Sequence, residues 1–306
     1  MYHLDDVPIT FDHVTKTFDG RNALDNVTLE IPRGRIIGLL GRNGSGKTTL
    51  LHLACGLLLP TSGDCRTFGK PVAQLGSSEL SRLGVVHQED RPIQWLKVNQ
   101  HLDFTASFYS TWDAALEKRL LQMLELDPSR RVAELSPGDR QKLSLILAVC
   151  HRPALLLLDE PMSALDPIIR TRLIDMLLER LRDDDCTIVI SSHILTDVEK
   201  ILDWVVAIDR GRITANLAFD ELQESYAEWI VTCEPGRPLP ASFAEPFVFS
   251  RQGDDRRVRL RVKPAGPDAV ERFAAQHGCR VQVCPLNLEE LFPMLTQSSA
   301  AAATPA

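Results

Sequence analysis

The sequence predicts an α/β protein: a large domain on a largely parallel sheet with a helical insertion, followed by a small α+β domain. Three observations carry this expectation. Short runs that are apolar throughout alternate with amphipathic helical stretches over about the first 220 residues, as in a sheet covered by helices on both faces. Between Asp90 and Glu134 the strand signal disappears. After Glu224 the texture changes, with Pro235, Pro238, Pro240 and Pro246 crowding a short stretch.

Taken in order, Ile36 to Leu40 is the first buried strand, and it runs through a glycine-rich turn into a helix. Gly84 to His87 is the second strand. The insertion after it, about residues 90–135, is dominated by helical stretches such as Trp112 to Leu126. Leu155 to Leu158 and Thr187 to Ile190 are two further buried strands, which completes a first domain over 1–226. A second domain is expected over 227–296. There Arg257 to Val262 alternates basic and apolar residues as a half-exposed strand, Pro267 to Gln276 reads as a helix, Arg280 to Val283 as a strand and Leu288 to Leu295 as a closing helix. The low-complexity run over 297–306 is expected to be disordered.

Composition narrows the function classes. A content of 44% hydrophobic and 25% charged residues in 306 argues against a disordered chain or a fibre. The net charge of −7 gives no general pull toward nucleic acid or anionic lipid, so any phosphate must be held locally and no nucleic-acid partner is expected. The apolar stretch Leu50 to Leu59 contains His52 and Gly56 and falls short of the roughly 20 residues of a membrane span. The start MYHLDDVPIT has neither a basic opening nor an apolar run, so no secretory signal is expected. Seven cysteines without a CxxC pair suit a reducing cytoplasm.

Gly41, Arg42, Asn43, Gly44, Ser45, Gly46, Lys47 and Thr48 match the phosphate-loop pattern GxxxxGK[ST], and Thr49 continues into the helix. Glycines let backbone N–H groups converge on phosphate oxygens, and the helix N-terminus adds positive charge. Lys47 can reach the β and γ phosphates and the Thr48 hydroxyl can ligate Mg²⁺. Leu155 to Leu158 then ends in Asp159 and Glu160, which places two carboxylates at a C-terminal strand edge, where open α/β sheets bind ligands. Asp159 suits the Mg²⁺ shell, and Glu160 suits polarisation of an attacking water.

In order along the chain come this loop, Gln88 in VVHQED, LSPGDRQK at Leu135 to Lys142, LLLLDEP, SALD at Ser163 to Asp166, and SSH ending at His193. The set resembles the ATP-binding cassette ATPases and covers residues about 7–220. The resemblance implies a phosphate-loop nucleotidase fold that takes ATP and Mg²⁺, with two such domains facing head to tail as a homodimer or heterodimer. It further implies that Gln88 ligates Mg²⁺ and reports on a transport partner, and that His193 contacts the γ phosphate. Ser136 and Gly138 would bind the γ phosphate of the opposite subunit, Asp166 would couple the two sites, and adenine would stack on Phe18. The chain departs from the family at Ser136-Pro137-Gly138-Asp139, where Ser-Gly-Gly-Gln is usual. Proline removes a backbone donor, and Asp139 is expected to place a negative charge close to the partner's phosphates and slow a working ATPase.

A single cassette with a short helical insertion and a C-terminal α+β appendage resembles the ATPases of bacterial exporters of drugs, antibiotics or polysaccharides. That resemblance implies an integral-membrane permease as a separate chain, which would hold this subunit on the cytoplasmic face of the cell membrane. A soluble ATP-driven switch or assembly factor is the alternative. Pro92 to His101, with Trp95 and Leu96, is the expected permease contact. The C-terminal domain carries no nucleotide or metal motif, and His277, Cys279 and Cys284 lack a paired CxxC, so they are expected to be structural.

Overall fold

The computed structural model of the chain describes residues 7–88, 92–184, 186–233, 238–243, 245–264, 266 and 268–297. These fall into two compact units, 1–216 and 217–306. That division lies ten residues before the 226/227 boundary expected from composition. Pro235, Pro267 and the tail from 298 onward lie outside the described residues.

In the first unit the strands are β1 (Ile9–Phe18), β2 (Arg21–Ile31), β3 (Ile36–Leu40), β4 (Ser62–Thr67), β5 (Lys70–Pro71), β6 (Leu83–Val86), β7 (Leu155–Asp159), β8 (Thr187–Ser191), β9 (Trp204–Asp209) and β10 (Arg212–Ala218). The central sheet has the order β10-β9-β3-β8-β7-β6, and the pairs from β9 through β6 are parallel. All five residues of β3, β7 and β8 are buried, as a strand with helices on both faces requires. Close packing reaches the backbone: a Cβ added to Gly38 would lie 2.6 Å from a Leu202 methyl.

A second sheet, β2-β1-β4-β5, is antiparallel throughout and has no counterpart in the sequence reading. On β2, Leu24, Val27, Leu29 and Ile31 enter a core shared with Leu39, Leu50 and Leu53, so this sheet and the central one enclose the helix Lys47–Ala54. In the insertion the helices are Val98–Ala106 and Ala114–Met123, followed by the turn Val132–Glu134. The second helix starts two residues after Trp112 because Asp113 caps it, accepting from the Leu116 amide at 2.8 Å.

The second unit is an antiparallel sheet of β11 (Ala227–Cys233), β12 (Val248–Gly253), β13 (Arg257–Val262) and β14 (Cys279–Cys284) in the order β12-β13-β11-β14. Val258, Leu260 and Val262 turn inward against Trp229 and Phe273, the latter from the helix Ala269–His277, while Arg257 and Arg259 turn outward. The Nε2 of His277 pairs with Glu245 at 2.5 Å. Cys279 is buried opposite Cys233.

Candidate functional site

Four adjacent parallel strands bring the predicted residues together at one sheet edge. The loop 41–48 follows β3, Gln88 lies just past β6, Asp159 ends β7 and Ser191 ends β8. Asp159 and Ser191 are register partners, so the parallel ladder alone makes them neighbours. A cavity of about 500 Å³ lies against this edge, lined by Phe18, Ala23, the loop from Asn43 to Thr49, Gln88, Asp159 and Glu160.

The loop is shaped for a ligand that needs backbone. Gly46 has φ 114°, and a Cβ there would meet the Ala23 carbonyl at 2.7 Å; at Gly41 it would lie 2.5 Å from the Ile208 carbonyl. Lys47 folds back over the loop, donating to the carbonyl of Gly41 at 2.8 Å and of Arg42 at 3.3 Å. Burial pushes its ammonium below the ordinary lysine range, against the opposing pull of Glu160 and Asp159. The Ser45 hydroxyl is buried with no hydrogen-bond partner among the described residues, which fits an acceptor oxygen from a phosphate.

Thr48 Oγ1 donates to Asp159 Oδ2 at 2.7 Å, and Ser191 Oγ donates to Asp159 Oδ1 at 2.6 Å. Hydroxyl, carboxylate and the nearby Gln88 form a hard-oxygen donor set of the kind Mg²⁺ prefers. Sequence reasoning gave Ser191, the first residue of the SSH motif, no role of its own. It holds Asp159 with its hydroxyl hydrogen and accepts the Glu160 amide at 2.9 Å, and its only sequence signal is its place two residues before His193. The residue before Gln88 is anchored too, because His87 Nδ1 and His52 Nε2 lie 3.2 Å apart.

Glu160 is buried and has φ 52°, in the left-handed region that costs a non-glycine residue on the order of 1–3 kcal/mol. From that backbone its carboxylate reaches His193. Oε2 lies 2.6 Å from His193 Nδ1 and accepts the His193 amide at 3.2 Å. A carboxylate next in sequence to Asp159, tethered to an exposed imidazole, can take a proton from water and hold its orientation while doing so.

Ser136, Gly138 and Asp166 stand apart from the cavity and pack on one another's segments. Ser136 caps the helix Pro137–Val149, its hydroxyl accepting the Asp139 amide at 3.1 Å. Pro137 sits at the first helical position, where the missing N–H has no intrahelical partner to lose. A Cβ on Gly138 would lie 2.7 Å from the Ala164 carbonyl, so the glycine permits close approach to the segment ending at Asp166. Asp166 caps the helix Pro167–Asp184, accepting the amides of Ile168 at 3.0 Å and Ile169 at 3.1 Å, which hold its carboxyl below the usual range.

The negative charge of Asp139, expected close to the partner's phosphates, is paired within this chain. Asp139 is paired with Arg130 at 3.0 Å and with Lys142 at 3.2 Å. Burial works against its ionisation, but the Ser136 hydroxyl and these two cations outweigh it and hold the carboxyl below its ordinary range.

The family model described as ABC transporter matches residues 24–163. The chain is 34% identical over 229 residues to the ABC transporter ATP-binding protein YhaQ of Bacillus subtilis, covering 73% of this chain and 76% of that one. It is 30% identical over 219 residues to the bacitracin transport ATP-binding protein BcrA of Bacillus licheniformis, covering 71% and 72%. Among solved structures, an ATP-binding subunit of an ABC transporter superposes with a TM-score of 0.65 at 26% identity, over 71% of this chain and 92% of that one. A dimeric ATP-binding cassette bound to ADP and phosphate superposes with a TM-score of 0.61 at 24% identity, over 69% and 98%, and shows the shared fold.

Proposed function

The chain belongs to the ABC transporter family as an ATP-binding subunit, and from that premise we propose that it is the Mg²⁺-dependent ATPase motor of a bacterial exporter. The observation that carries the catalytic part is the paired arrangement at the β7 edge: Asp159 held by Thr48 and Ser191, and Glu160 reaching His193 from its left-handed backbone. Loop residues 43–49 bind the phosphates, with Lys47 redirected from its two carbonyls onto the β and γ oxygens. Phe18, 44% exposed at the cavity rim, offers its ring to the adenine. Thr48, Asp159 and Gln88 would hold Mg²⁺, which supplies charge neutralisation on the phosphates. Glu160 accepts the proton of the attacking water, and His193 orients Glu160 and reaches the γ phosphate.

Ser136 and Gly138 serve the nucleotide of a second subunit, with Asp166 between the two sites; their position outside the cavity supports this reading. The partner is a separate integral-membrane permease, which would place the subunit on the cytoplasmic face of the membrane. No helix among the described residues is long and apolar enough to cross one. Two features support a permease contact. Trp95 is 76% exposed, and a groove of about 850 Å³ beside His87 is lined by Leu57, Leu59, Leu80 and Tyr109. Export as the direction rests on the two BcrA relatives, both named for bacitracin transport, and on the C-terminal α+β unit.

The test has two arms. ATP turnover of the purified chain is measured with and without Mg²⁺, and the chain is co-expressed with a neighbouring gene product of about six predicted membrane helices. Metal-dependent turnover and co-purification are expected. Turnover with no membrane partner would favour the soluble switch instead.

A further inference from the structure

The charged departure from the usual signature, Asp139, sits at the centre of a small ionic arrangement. Its two carboxylate oxygens are divided between two cations: Oδ2 faces Arg130 Nη1 at 3.0 Å and Oδ1 faces Lys142 Nζ at 3.2 Å. Arg130 uses its other terminal nitrogen on the Glu134 carbonyl at 2.7 Å, so one planar guanidinium spans both ends of the turn that presents Ser136. The neutral amide of a glutamine could not attract both cations in this way.

The backbone around Arg130 is stitched to another segment. The amides of Val98 and Asn99 donate to the carbonyls of Arg130 and Pro128, each at 3.0 Å. Those of Val132 and Ala133 donate to Leu96 at 2.9 Å and Gln94 at 3.0 Å. Lys97 and Arg131 complete an antiparallel bridge. Ile93 is tied in turn to His101 Nε2 at 3.1 Å. The loop that exposes Trp95 and the strip that carries Arg130 are therefore one hydrogen-bonded unit, and Arg130 is the side chain by which that unit grips the signature turn.

We infer that Arg130 is a positioning residue that sets the Ser136–Asp139 turn through the Asp139 carboxylate and makes its geometry depend on what the 93–99 loop touches. This rests on the reading that the turn closes on the nucleotide of a second subunit. Arg130 is not among the residues that line the phosphate cavity. It acts when the turn must fit phosphate, so its loss shows in turnover and not in the chain's own affinity for ATP.

The experiment is a double-mutant cycle on the full chain with Arg130→Ala, Asp139→Asn and the pair, reading kcat, KM and equilibrium ATP binding. Arg130→Ala should lower kcat about tenfold, the scale of a lost charge-assisted hydrogen bond, with ATP affinity within about twofold of the parent. The pair should be no slower than Asp139→Asn alone. Arg130→Lys, which keeps the charge but cannot span both acceptors, should recover part of the loss. An unchanged kcat in Arg130→Ala, or additive losses in the pair, would overturn the inference. If Arg130→Ala fails to fold, Arg130→Gln is read in the same cycle. Hydrogen exchange separates the two readings: Asp139→Asn should speed exchange at the Val98, Val132 and Ala133 amides whether or not the parent chain turns over ATP. Unaltered exchange there would sink the link to the loop, whereas an inactive parent with altered exchange would sink only the ATPase reading.

Discussion

At the scale of single residues, the phosphate loop makes the sharpest demands. Gly46 combines φ 114° with a carbonyl 2.7 Å from where a Cβ would stand, so Gly46→Ala should distort the loop and abolish nucleotide binding even in a folded chain. Lys47→Ala should weaken ATP affinity itself, about tenfold or more for a lost charged phosphate contact, and titration with a fluorescent nucleotide reads both variants. Preserved affinity in Lys47→Ala would remove the lysine from the phosphate site. The loop, Asp159 and Glu160 were legible because their chemistry is local in sequence. Ser191 was not, because a serine gains its meaning only when the β7/β8 register sets it beside Asp159. The same is true of Asp139. Its neighbour Lys142 lies within the motif, but Arg130 comes from the insertion, and a sequence motif cannot show that a charge is already paired.

At the scale of elements, β3, β6, β7 and β8 were readable because burial leaves a short run that is apolar almost throughout. The β1/β2 hairpin was not, because the register of β1 shifts between Phe11 and Val14 and again before Lys16 and Thr17, with His13 at φ 49°. Each shift moves the following side chains to the other face and erases the period of two. The helix starts at Ala114, Pro137 and Pro167, in contrast, are set by single caps. Asp113 accepts the Leu116 amide and pairs with Arg152 at 2.6 Å, and these bonds hold its carboxyl below the usual range. Asp113→Ala should cost about 1 kcal/mol of stability. Because the folded value is depressed, that contribution is full above the ordinary aspartate range near about 3.9 and is lost as pH falls through the folded value. Urea unfolding of parent and variant should therefore differ at pH 7 and converge in acid; a gap that persists in acid would contradict the assignment.

At the scale of the whole molecule, the C-terminal unit has its own core around Trp229, which is fully buried against Phe247 and Phe273. Trp229→Ala should cost about 3–5 kcal/mol and melt that unit early while ATP still binds. A chain ending at Ser225 should likewise bind and hydrolyse ATP but dimerise less well, which sedimentation reads directly. Loss of nucleotide binding in both would mean that the cassette depends on the appendage. The central claim is that Glu160, reaching His193 from its left-handed backbone, is the base of an ATPase that works as a pair of subunits. The most direct test is turnover and sedimentation of Glu160→Gln with Mg²⁺ and ATP. The account predicts retained ATP binding, a nucleotide-dependent dimer and turnover lowered at least about 10²-fold. Turnover equal to the parent's would contradict it.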